Sequence, residues 1–127
     1  MSLSNYLENA VANALRGGGN GTSFTAPAAI YAKLHTGDPG EDGTANAATE
    51  TTLKEVQFGA ASGGVIALSN APSWTNVAGT EDFAYVSLWD GSTGPGTDNC
   101  LGSGAITANA VVAGDTFNLT ALTITLT

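Results

Sequence analysis

The spacing of apolar residues changes along the chain and divides it into three stretches. Leu3, Leu7, Val11 and Leu15 recur every four residues, with Ala10 and Ala14 on the same flank, so residues 4–15 predict one amphipathic helix. Ser4 or Asn5 can cap its start, Glu8 suits the positive end of the dipole, and Arg16 and Gly17 close it. A helix of about 12 residues is marginal alone in water, so its stripe needs a cover, either its own domain or another chain. Gly17, Gly18, Gly19, Asn20 and Gly21 follow as a flexible tether that would let the helix sit away from the body. The resulting division is a helical arm at 1–16, a Gly-rich tether at 17–26 and a β domain at 27–127.

From Ala28 onward the period drops to two, the mark of half-buried strands. Ile30, Ala32 and Leu34 share one face, with Tyr31 and Lys33 on the other. A polar loop occupies 35–52, and further runs fall at 53–58, 65–68, 73–75, 83–89 and 101–106. Within 83–89, strict alternation sets Phe83, Tyr85 and Trp89 against Ala84, Val86 and Leu88. Val111 and Val112 lead into a turn at 113–116 and out through Phe117 and Leu119, an expected hairpin. Leu122, Ile124 and Leu126 alternate with Thr123, Thr125 and Thr127 at the end. Seven or eight short strands separated by turns predict a mainly β fold, an antiparallel β-sandwich carrying one short N-terminal helix.

Composition narrows the functions open to such a fold. Three basic residues against 11 acidic ones leave a net charge of −8. Nucleic acid is therefore an unexpected partner, because affinity for its backbone comes mainly from Lys and Arg. A membrane is equally unexpected, since the polybasic cluster that holds a chain to an anionic bilayer is missing. Ala supplies 21 of the apolar residues, so the core is thin and burial against copies of the same chain or against a partner is favoured.

Candidate chemistry is sparse. His35 is the single histidine, so no His-His metal pair can form and any Ser-His-Asp triad would depend on it. Its place at a strand end beside Thr36 and Asp38 reads more simply as a turn-fixing residue. Asp38, Glu41 and Asp42 share its loop, which we expect to be a surface-contact loop; their spacing is that of acidic turns and not of an EF-hand. Trp74, between Ser73 and Thr75, is the aromatic expected to lie exposed and to stack on a sugar ring. Cys100 is expected as a small core residue. No cofactor is expected.

Several segments together resemble a known family. They are Met1 to Asn9 leading into the helix, Tyr31 to Gly40 with its Leu34-His35-Thr36-Gly37-Asp38-Pro39-Gly40 core, Lys54 to Ala60, Val86 to Asp90 with Ser87-Leu88-Trp89-Asp90, and Ala113 to Phe117. The chain is similar along nearly its whole length to small virion proteins of tailed bacteriophages, often labelled tail-fibre-like. The chain departs from the pattern at Leu119 to Leu122, where a further Gly-Asp turn would be expected. The resemblance implies a β-rich structural protein of the virion, made in the bacterial cytoplasm and placed on the capsid surface or the tail. Combined with the amphipathic arm, it points first to a non-enzymatic capsid decoration or cement protein that binds the major capsid protein as a homo-oligomer, with three copies the expected number. The assembly interface would then be Leu3, Leu7, Val11 and Leu15. The alternatives are a tail-associated or fibre component that contacts the host surface, and a carbohydrate-binding module.

Overall fold

A computed structural model describes residues 1–126. Among these residues one α-helix, α1, spans Asn5–Ala14, and the strands are β1 (Ser2–Leu3), β2 (Ile30–His35), β3 (Lys54–Val56), β4 (Val65–Ala67), β5 (Ser73–Trp74), β6 (Glu81–Trp89), β7 (Cys100–Val111), β8 (Phe117–Asn118) and β9 (Thr123–Thr125). A five-stranded antiparallel sheet has the order β1-β7-β6-β2-β3, and two two-stranded ribbons, β4-β9 and β5-β8, complete the strand pairing. The fold is mainly β with antiparallel sheets and one short helix, as the alternation predicts.

One core joins the sheet and the ribbons. Ala32 and Leu34 from β2, Phe83, Val86 and Leu88 from β6, and Leu101 and Val111 from β7 meet Trp74, Phe117, Leu119 and Leu122 from the other side. Phe117 is the hinge of an aromatic cluster, 5.2 Å from Phe83 in an edge-on pair and 5.8 Å from Trp74. Such pairs contribute roughly 0.5–1.5 kcal/mol beyond the area they bury.

Four expectations change here. Strict alternation fails in β6, where the register with β7 shifts between Phe83 and Tyr85 and again between Leu88 and Trp89. A bulge resets which side faces in, so Phe83 joins Val86 and Leu88 in the core instead of lying with Tyr85 and Trp89. The expected hairpin out of 111–117 does not form either. β8 leaves β7 and pairs with β5, while the turn is held to a neighbouring loop by Gly114 N–H to Val77 O and Val77 N–H to Asp115 O. Trp74 is 1% exposed, with its indole N–H donating to Thr52 O at 2.7 Å, so no ring face is free for a sugar. A two-residue strand gives too little period for the sequence to fix which side it turns inward. Finally, the N-terminal residues pair as β1 with β7, Ser2 opposite Ser103 and Leu3 opposite Gly102, and the helix rests over its own sheet. The terminal alternation holds for Leu122 and Ile124, whereas Leu126 is exposed; Thr127 lies outside the described residues.

Candidate functional site

Two places gather the residues that sequence singled out: the loop over the outer face of β2 and β6, and the apolar groove beneath α1.

Along the first, Lys33 and His35 of β2 lie opposite Ser87 and Tyr85 of β6. The 36–50 loop folds back over them. Thr36 N–H and Ala48 N–H bond Asn46 O and Leu34 O, and Ala45 N–H bonds Pro39 O. His35 is 0% exposed, so it is not a surface-contact residue; burial of the sheet's second face by this loop removes it from solvent. Its Nδ1 lies 2.9 Å from Ala45 O, which can only accept, so Nδ1 carries the proton. Nε2, 2.7 Å away, then accepts from the Ser87 hydroxyl, and Ser87 Oγ in turn accepts from the Trp89 indole N–H at 2.7 Å. Desolvation pushes the His35 pKa down, only partly offset by the hydrogen bond to Ala45. The Ser87–His35 pair has the spacing of a catalytic dyad, but both residues are fully buried and Ser87 already donates and accepts.

Asp38, Glu41 and Asp42 of this loop are exposed, whereas Glu50 at its end is buried. Asp38 Oδ1 accepts from Gly40 N–H, and Asp42 Oδ1 accepts from the Thr44 amide and hydroxyl, bonds that hold the Asp42 carboxyl below its usual pKa. Glu41 is exposed beside them. Glu81 accepts from the amides of Thr49 and Glu50, and Glu50 accepts from those of Ala78 and Thr52. Among the described residues no group of three or more His, Cys, Asp or Glu is placed to hold a metal ion. Cys100 is buried under the same loop, its thiol pushed up to about 11 by desolvation. Gly43 makes that closure possible: at φ +73° a Cβ would lie 2.6 Å from Cys100 Sγ and 2.9 Å from the Trp89 ring.

The groove is built from the helix stripe downward. Ser4 caps α1 by accepting from Leu7 N–H at 3.2 Å, while its own amide bonds Leu101 O and its hydroxyl donates to Cys100 O. The helix start is thereby fixed to β7. Leu3, Leu7 and Val11 point down toward Ile66 of β4, Leu88 of β6, Leu101 of β7 and Ile124 of β9, with Phe24 and Pro27 of the linker at one side. The cavity holds about 330 Å³ and is lined by apolar residues throughout. The stripe is incompletely covered: Leu3 and Leu7 are half-buried, Val11 is 38% exposed and Leu15, one turn beyond the groove, is 79% exposed. Phe24 and Leu126 at the groove margin are exposed as well. No residue of α1 is buried. Of the four stripe positions, the structure gathers three around one cavity and leaves Leu15 outside it. Sequence reasoning missed Phe24, Ile66 and Leu126 as partners of the stripe, because they come from a linker, from β4 and from the residue after β9, brought together only by the ribbon pairing.

A helix and groove that leave so much apolar surface uncovered suit a protein that works by assembly. A family model described as podophage GP4 fiber I protein gp80 matches residues 2–127. The chain belongs to this phage fibre family. It is a virion structural protein, associated with other virion proteins. No curated protein matches the fibre protein's sequence. No helix among its described residues is long and apolar enough to cross a membrane.

Proposed function

We propose that this chain is a non-enzymatic, tail-associated fibre component of a tailed phage that self-associates through the stripe of α1 and the groove beneath it. One observation carries the reading: in a chain of net charge −8, the exposed apolar residues Val11, Phe24 and Leu126 line one apolar cavity, and Leu15 extends the same helix stripe one turn beyond it. Contiguous apolar surface of this kind marks an interaction site. Membership in a fibre family favours the tail over the capsid exterior, so decoration of the major capsid protein becomes the second placement. The copy number is proposed as three, the smallest closed ring that leaves a fibre axis free. The exposed acidic loop at Asp38, Glu41 and Asp42 is proposed as a contact surface toward neighbouring virion proteins.

Leu15→Glu tests the reading, because a side chain this exposed can change without cost to the fold. We expect the variant to melt as the unmodified chain does and to show a several-fold weaker self-association by light scattering. Unchanged self-association would remove the stripe from the interface. Gold labelling of an epitope placed on the chain, viewed on intact particles, separates tail from head: label on the capsid shell would overturn the fibre placement.

A further inference from the structure

We propose that the groove's occupant in the assembled protein is the N-terminal arm of a second copy, residues 1–16 being exchanged between chains. The proposal rests on the self-association reading above and names its partner surface. The seat is shaped for this segment. Leu3, Leu7 and Val11 already line the cavity, and Gly102 leaves room for the backbone of β1, since a Cβ there would come 2.5 Å from Ser2 O. Every contact the arm makes within one chain can be made identically by the arm of a neighbour, the condition for exchange.

The connection permits it. Residues 17–29 contain no helix or strand, every residue from 11 to 26 is exposed, and Gly17 and Gly19 have open space where a side chain would be. One backbone hydrogen bond, Thr22 N–H to Asn13 O, ties this linker to the helix. Thirteen residues span up to about 43 Å when extended, enough to reach an adjacent copy.

Charge selects the arm as the part that crosses. Glu8 and Arg16 cancel within residues 1–16, whereas residues 17–127 hold Lys33 and Lys54 against ten acidic residues. The whole net charge of −8 therefore sits on the body, and two bodies repel while a neutral arm does not.

The register of β1 on β7 supplies the test. Ser2 and Ser103 are direct partners across that pair, so a Cys100→Ser, Ser2→Cys, Ser103→Cys chain, oxidised in its native assembly, links the arm to whichever copy seats it. We expect covalent multimers on a denaturing gel without reductant. An assembly that light scattering shows to be oligomeric, yet yields only internally linked single chains, would overturn the exchange and leave the self-association reading standing. A monomer with internal links would overturn both. The same question is put to the unmodified sequence by refolding a mixture of isotope-labelled and unlabelled chains and measuring filtered NOEs between Leu3 and Gly102, direct partners across β1 and β7. Cross-copy NOEs are expected, and signals confined to one copy would overturn the proposal even if the cysteine variant does not fold.

Discussion

At the scale of single residues, the carboxylates of this chain act as acceptors for backbone amides. Asp98 holds the amides of Thr93 and Gly94, Asp90 that of Asn99, and Asp115 that of Val112, beside the roles of Glu50 and Glu81 already described. A thin, Ala-rich core is thus supplemented by charge-assisted bonds that stitch the loops. His35 adds a pH dependence of definite sign. Its folded-state pKa lies below the ordinary value of 6.5, so the unfolded chain takes up the proton more readily. Stability from this residue is complete above pH 6.5 and declines as pH falls below it, at up to about 1.4 kcal/mol per pH unit until the buried ring protonates. Urea melts between pH 7.5 and 5 should show this slope; a flat profile would contradict the desolvation of the buried ring. Gly43→Ala should cost about 1–3 kcal/mol by the same melts, since it adds a side chain at positive φ against Cys100 and Trp89.

At the scale of elements, what sequence revealed depends on the length of the pattern. The helix was legible because four apolar positions and a cap agree over 12 residues, and its start at Ser4 is where the capping rule puts it. β2 and β6 were legible as strands, but β6's facing was not, since a bulge breaks the parity on which facing depends and no residue type announces it. β1, β5 and β8 have two residues each, too few for any period, and only pairing partners define them. The same limit governed the sites. The stripe was found because it repeats; its seat was not, because Ile66, Ile124 and Leu126 belong to a ribbon whose strands are 50 and more residues apart. Trp74 failed as an exposed platform for this reason, and its replacement distinguishes the two roles. Trp74→Ala should destabilise the protein by about 3–5 kcal/mol, the range for a large core aromatic, through loss of contact with Phe117 and of the bond to Thr52. Reduced adsorption to cells by a fully folded, equally stable Trp74→Ala chain would restore the stacking role.

At the scale of the whole molecule, charge and apolar surface are separated. The body carries the net charge and the arm carries the uncovered apolar stripe, so association is opposed by one and driven by the other. Raising salt from about 0.02 to 0.5 M shortens the screening length from roughly 20 Å to about 4 Å and should tighten self-association several-fold by light scattering. Weakening with salt would point to ion pairs as the adhesive. The exposed linker has a further consequence for handling the protein. Trypsin cuts only after Lys or Arg, and of the three available residues Lys33 and Lys54 lie within paired strands while Arg16, the sole arginine, sits in the exposed stretch. A brief digest should therefore sever the chain at one bond, releasing a 16-residue peptide held only by β1, the helix cap and the groove. Whether that peptide washes away or stays behind measures the grip of the seat without changing a single amino acid.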